Sequence, residues 1–340
     1  MYMPTTEVDL RNAGLLTMFV YIYGQPRYLS RYSKLSGIQF TRAELPLNFD
    51  ISIGEQIRRF LKTTTVHVLY ALDNYFRSLF ATIAQDPFFD TLFLRFNIQN
   101  QLGGECYVFS NTDSKFIVFR GSDSPIDVCV DATIETIPFL IDGVLTDANV
   151  RVHAGFAQQL LNYNFIRQIA IAVDAKDGDH IHLYGHSLGA ASALLQGYYL
   201  HHFLKKKAVD ISIITLAGPV TGTSGWQSSF DSIFCNDGKR NFDRLINEHD
   251  IAPNFHTFVY DWALFTKHSV ENMESGFISR YFNKYTFDYQ HVGKETWIIV
   301  DGKLTKVVNA AHIFAKPTVY DVANIMQNHT IAYQDWLSGK

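Results

Sequence analysis

The pentapeptide Gly185-His186-Ser187-Leu188-Gly189 constrains the fold of this chain more than any other stretch. It lies between residues 179–184, where polar and apolar side chains alternate as in a short buried strand, and residues 190–200, which open with Ala190, Ala191 and Ala193 and read as a helix. The Gly-x-Ser-x-Gly pattern at such a junction has a steric origin. The serine stands on a sharp, strained turn, and the flanking glycines leave room for neighbouring backbone. Small residues after the turn let the helix approach a sheet closely. The bare pattern arises often by chance. Set between a strand and an Ala-rich helix, it points to an exposed serine at the edge of an α/β sheet.

The rest of the chain supplies such a sheet. Residues 105–110 and 115–120 read as strands joined by Asn111-Thr112-Asp113, and 155–173 as a helix before the elbow strand. Strand 210–216, helix 226–234 and strand 242–247 follow. This alternation predicts an α/β fold with a mostly parallel central sheet flanked by helices. Residues 296–300 and 304–308 flank Asp301-Gly302-Lys303, a hairpin signal. Residues 1–100 differ and read as mostly helical. Over 55–85, Ile57, Phe60, Leu61, Val68, Leu72, Phe76, Leu79, Phe80 and Ile83 recur near the helical period. The β-branched run Thr63-Thr64-Thr65-Val66 weakens its middle, so the segment reads as one helix or two. The expected organisation is a helical N-terminal extension, 1–100, packed on a catalytic domain, 101–340. Membrane docking is the second reading of the extension.

Composition narrows the partners. The net charge is -4 with no basic block, so a nucleic-acid partner has no electrostatic support. Charged residues make up 18%, below the roughly 25% usual for soluble domains. Cys106, Cys129 and Cys235 are scattered and odd in number, which fits a reducing compartment rather than a disulfide framework. The N-terminus lacks the basic region of a signal peptide. The apolar run from Leu15 to Tyr23 is too short to span a bilayer of about 30 Å and reads as a buried helix or strand. A cytoplasmic or peripherally membrane-associated location is expected. There is no His-Glu-x-x-His and no Cys/His cluster, so neither metal nor cofactor is called for. Oligomeric state is open.

A serine hydroxyl becomes a competent nucleophile when an imidazole takes its proton, and the imidazole needs a carboxylate to fix its tautomer. In an α/β-hydrolase these partners follow the serine, acid first and histidine last. Asp250 is the candidate acid. It follows strand 242–247, and Pro253 holds its segment as a loop. A plain turn aspartate is the alternative reading, and Asp243 and Asp231 are rivals within a strand and a helix. Among downstream histidines, His201 and His202 end the elbow helix, His249 adjoins the acid, and His256 and His268 follow it too closely for a further strand. His329 is the candidate base, with His291 and His312 as rivals. An oxyanion hole needs two donors. The backbone N–H of Leu188 is one. The other is expected from Ser122 in Phe119-Arg120-Gly121-Ser122, through its N–H and hydroxyl.

Together these residues resemble the class 3 (fungal-type) lipase family, which has the α/β-hydrolase fold. The shared motifs are Phe119-Arg120-Gly121-Ser122, His153-Ala154-Gly155-Phe156, Gly185 to Gly189, Gly218-Pro219, the acid loop Asn247-Glu248-His249-Asp250-Ile251-Ala252-Pro253, and Tyr289-Gln290-His291-Val292-Gly293. The resemblance covers roughly residues 105–335. It implies that His291 is noncatalytic and that the catalytic histidine lies near the C-terminus with an aromatic residue a few positions on, as His329 and Tyr333 do. It implies a serine carboxylester hydrolase acting on acylglycerols or related lipids, at a membrane or droplet surface. Phospholipase or acyltransferase activity from the same triad, and a catalytically inactive lipid-binding protein, are the alternatives. A lid is expected over 124–134, with Ile126, Cys129, Val130 and Ile134 on one helical face. Asp131 matches the family's lid, but Val128 stands where it often has Trp. A core helix turn is the other reading of this segment.

Overall fold

Strand alternation decides the layering of this protein. In β2 (Glu105–Ser110) and β3 (Ser114–Arg120), Cys106, Val108, Ile117 and Phe119 point to one apolar cluster, while Tyr107, Phe109, Phe116 and Val118 point to another. Successive side chains of a strand face opposite ways, so a sheet buried on both faces needs apolar residues at both parities. The computed structural model describes residues 5–23, 49–63, 74–99, 104–121, 135–145, 147–161, 164–236, 241–254, 288–293, 295–308 and 327–339. Ser122, the expected lid 124–134 and His312 lie outside these residues.

The first described elements are the helices α1 (Glu7–Tyr23), α2 (Ile53–Thr63), α3 (Asn74–Gln85) and α4 (Pro87–Asp90). The next elements are β1 (Phe93–Gln99), then β2 and β3, the short strands β4 (Thr136–Pro138), β5 (Leu140–Ile141), β6 (Val144–Leu145) and β7 (Arg151–His153), and the helices α5 (Ala154–Leu161) and α6 (Phe165–Ala172). The elbow region is β8 (His180–His186) and α7 (Leu188–Phe203). Beyond it come β9 (Asp210–Leu216), β10 (Gly222–Thr223), α8 (Ser224–Phe234), β11 (Phe242–Asn247), β12 (Tyr289–Gln290), the hairpin β13 (Glu295–Val300) and β14 (Lys303–Val308), and α9 (Ala332–Ser338).

Among the described residues, eight strands form the main sheet in the order β1-β2-β3-β8-β9-β11-β13-β14. From β3 to β13 they run parallel; β1, β2 and β14 pair antiparallel at the edges. A parallel run aligns the C-terminal ends of β3, β8, β9 and β11 on one edge, where α/β folds place ligands. A second sheet has the order β12-β10-β7-β4.

Helices cover both faces. Phe156, Ile169, Leu195 and Trp226, from α5 to α8, bury against Ile181, Leu183 and Ile213. On the other face Leu16, Phe19 and Leu337, from α1 and α9, bury with Val118, Tyr184 and Leu216. Each such aliphatic or aromatic side chain contributes about 1.5–3 kcal/mol when fully buried. The apolar run in Leu15 to Tyr23 is thus the inner part of α1, and Leu15, Leu16, Met18, Phe19 and Val20 are buried in it.

Three details differ from the sequence reading. The helix expected over 155–173 is two helices, α5 and α6, and the second starts from Asn164 in a left-handed conformation, φ 57°. Asparagine adopts that conformation more readily than most residues. The strand β1 falls inside the stretch read as helical and joins the sheet edge, because its pairing with β2 is tertiary information. The late hairpin turns on two residues rather than three. Val300 pairs with Lys303, and Asp301 and Gly302 both have positive φ, as a tight primed turn requires.

Candidate active site

The elbow is built as its glycine spacing demands. Ser187 has φ 58° and ψ -130°, a strained conformation for a residue with a side chain. A Cβ on Gly185 would lie 2.1 Å from the Gly189 carbonyl oxygen, and one on Gly189 would lie 2.4 Å from the Phe119 carbonyl oxygen. The first glycine therefore lets α7 start directly over the end of β8. The second lets that first turn touch the end of β3. The Ser187 N–H donates to the Leu216 carbonyl at the end of β9, 3.0 Å away. Three strand ends thus fix one turn.

The contact with β3 brings Phe119-Arg120-Gly121 beside the start of α7, which carries Leu188. Arg120 pairs with buried Glu105 across the β2–β3 ladder at 2.5 Å. Glu105 also accepts from Gln99 and from the Tyr107 hydroxyl. Ser122, one residue beyond Gly121, lies outside the described residues.

Asp250 and His329 meet across 79 residues. His329 Nδ1 lies 2.9 and 3.0 Å from the two carboxylate oxygens of Asp250, and both side chains are essentially inaccessible to solvent. The Asp250 turn is fixed locally. Its N–H donates to the Asn247 carbonyl, and its Oδ1 accepts the Ala252 N–H at 2.9 Å. A carboxylate at Nδ1 holds the ring proton there, which leaves Nε2 as the basic nitrogen. That Nε2 is buried and has no hydrogen-bond partner among the described residues, Ser187 included. The elbow is nevertheless adjacent: the His186 and His329 rings lie 4.7 Å apart. In structures without substrate, nucleophile–base contacts are often longer than in the reacting complex.

The rival residues that the structure describes have other partners. Asp243 accepts the Trp297 indole N–H at 2.8 Å, and Asp231 accepts the Gly293 N–H at 2.7 Å. His291 Nε2 lies 2.8 Å from the Pro253 carbonyl, so it braces the acid loop without approaching Asp250 by hydrogen bond. The side chain of His249 is 56% exposed, beside Glu248.

Sequence reasoning gave no hydrogen-bonding role to three polar residues here. The Tyr333 hydroxyl donates to Asp250 Oδ2 at 2.9 Å and accepts the Asn247 N–H at 2.7 Å. Asn247 Nδ2 donates to the Asn328 carbonyl at 2.9 Å, and His186 Nε2 lies 2.8 Å from the His329 carbonyl. All three are buried. The spacing of His329 and Tyr333, four apart on one helical face, was the available signal for Tyr333. His186 and Asn247 were visible only as motif letters. Burial and the nearby His329 push the His186 pKa well down, so its ring is neutral.

A parallel sheet with a strained serine after one strand, and an aspartate after a later one, defines an α/β-hydrolase. The comparisons with known proteins agree. Residues 116–260 match the family described as Lipase (class 3). The fold is similar to that of the Lip2 lipase of Yarrowia lipolytica, with a TM-score of 0.52 at 20% identity, covering 73% of this chain and 82% of that one. A nonglycosylated form of that lipase gives 0.51 at 19% identity, with 72% and 81% covered. No curated protein sequence matches. The protein is a lipase-like carboxylic ester hydrolase. Among the described residues no helix is long and apolar enough to cross a membrane, and no group of three or more His, Cys, Asp or Glu side chains could hold a metal ion.

Proposed function

We propose that the protein hydrolyses acyl esters of glycerolipids through Ser187, His329 and Asp250. The observation that carries the reading is the buried His329 ring, bound at Nδ1 by Asp250 and without a hydrogen-bond partner at Nε2 among the described residues, beside a serine on a strained turn. Ser187 Oγ attacks the ester carbonyl as His329 Nε2 takes its proton. Asp250 stabilises the imidazolium without itself being protonated. The N–H of Leu188, with Ser122 as second donor, stabilises the negative charge that develops on the carbonyl oxygen. His329 then protonates the leaving alkoxide, and the acyl group remains on Ser187. Water, deprotonated by His329, attacks the acyl-enzyme, releases the carboxylic acid and restores the serine.

The acyl chain belongs on the edge of the sheet where the strand ends converge, and residues 124–134 are the segment expected to cover it. The test is Ser187→Ala. Turnover should fall by roughly 10⁴ to 10⁶, and labelling by a fluorophosphonate probe should vanish from a protein that melts as the wild type does. Retained turnover in that variant overturns the reading. A panel of triacylglycerol, monoacylglycerol, phospholipid and short p-nitrophenyl esters should show the highest kcat/KM for acylglycerols. A marked preference for phospholipid would move the assignment to a phospholipase with the same triad.

A further inference from the structure

His329 does not sit on an ordinary helix. Gln327–Ile331 forms a π-helical turn that runs into α9. Such turns are wider than α-helix, are rare, and occur often at functional sites. Two consecutive carbonyls of this turn receive side-chain hydrogen bonds from the sheet. His186, the last residue of β8, places Nε2 2.8 Å from the His329 carbonyl. Asn247, the last residue of β11, donates from Nδ2 to the Asn328 carbonyl at 2.9 Å. A carbonyl can only accept, so His186 carries its proton on Nε2. Both donors are buried, at 2% and 7% exposure, so neither bond competes with water.

The placement of these donors is specific. His186 is the immediate neighbour of Ser187. Asn247 accepts the N–H of Asp250 on its own carbonyl. The main chain of His329 is thereby tied to the strand end that carries the nucleophile and to the one that carries the acid. The hydrogen bond at Nδ1 fixes how the ring is turned. The two carbonyl bonds fix where the ring is.

We propose that His186 and Asn247 are positioning residues that set the distance between His329 Nε2 and Ser187 Oγ. This rests on the reading of His329 as the general base. Misplacement of a reacting group by about 1 Å costs on the order of 10²-fold in rate. Removing either donor should therefore act on kcat rather than on KM.

The experiment compares His186→Phe, which keeps a ring but no donor, with His186→Gln, whose amide can still donate, and Asn247→Leu with Asn247→Ser. Kinetics on a soluble p-nitrophenyl ester are measured with thermal melting alongside. His186→Phe and Asn247→Leu should lower kcat by about 10- to 100-fold with KM within about twofold, and shift the acid limb of the kcat/KM pH profile. His186→Gln should recover most of the loss. In a His329→Ala background neither substitution should lower the residual rate further. In the wild-type protein, ¹⁵N NMR of the imidazoles should show His186 protonated at Nε2 and unprotonated at Nδ1. This readout stands even if a variant fails to fold. Wild-type kcat in both donor-less variants, a loss that persists unchanged in the His329→Ala background, or a His186 protonated at Nδ1 alone each overturns the proposal. Full activity in His329→Ala overturns the reading beneath it instead, and so the two failures are distinguishable.

Discussion

The phenolic oxygen of Tyr333 lies 2.9 Å from Asp250 Oδ2, deep in the protein and away from solvent. Burial, and then the neighbouring carboxylate, push the phenol pKa well up, so Tyr333 is a neutral donor to a charged acceptor. The same oxygen accepts the backbone N–H of Asn247, which ties the start of the acid turn to its end.

Tyr333→Phe keeps the ring and removes both bonds. The Asn247 N–H would be left buried without an acceptor. Unfolding stability should fall by about 1–3 kcal/mol, as for a buried group losing its partner. Ester turnover should fall as well, since Asp250 is held by one donor fewer. Urea denaturation and kcat on one preparation check both. An unchanged midpoint would show that the bond contributes nothing net.

Asp250→Asn should leave the fold intact and lower turnover by about 10³ to 10⁴, because an amide can present N–H to Nδ1 and stabilise the wrong tautomer. Asp243→Asn is the control. Its Oδ1 holds the Trp297 indole, a bond an amide oxygen can keep, so activity should stay near wild type. The reverse pattern would move the acid to Asp243.

His329→Ala should remove activity, and His291→Ala should leave most of it. His291 meets the Pro253 carbonyl, so its loss should cost on the order of 1 kcal/mol of stability and loosen the acid loop. Steady-state rates and melting curves of the two variants separate base from brace. An inactive His291→Ala beside an active His329→Ala would reverse the roles.

Gly185→Ala should be far more damaging than Gly143→Ala. At Gly185 the added methyl meets backbone, the Gly189 carbonyl at 2.1 Å, and α7 must move off β8. At Gly143 no atom of the described residues lies within 4 Å, so among them only the positive φ of 77° opposes the change, at about 1–2 kcal/mol. Soluble yield and denaturation midpoints compare them, and equal behaviour would contradict the packing at the elbow.

Stability should fall as pH drops below neutral. Burial lowers the pKa of both His153 and His182 to about 4, against about 6.5 in an unfolded chain. The unfolded state therefore binds protons first, between pH 6.5 and 4, and gains on the native state. Each group should cost about 1.4 kcal/mol per pH unit in that window, and nothing above it. His182→Phe keeps a ring against Phe116, whose centroid lies 4.9 Å away, and should lessen the slope by one proton. Chemical denaturation at pH 7, 6 and 5 measures it.

The sequence by itself determined the parts of this protein that local physics writes. The glycines around Ser187 mark a close crossing of backbones that only they permit. The strands 105–110, 210–216 and 242–247 show the apolar content of a sheet buried on both faces, and their alternation with helices implies a parallel order. Asp250 is legible because Pro253 keeps its segment out of a helix at the end of a strand. Tertiary structure decided the rest. Which histidine meets Asp250 depends on a contact across 79 residues, and no local period records it. The side chains of His186, Asn247 and Tyr333 acquire their partners only when the ends of β8 and β11 and the start of α9 come together. Hydrogen bonds between such groups depend on distance and angle, whereas sequence patterns carry burial and backbone preference alone.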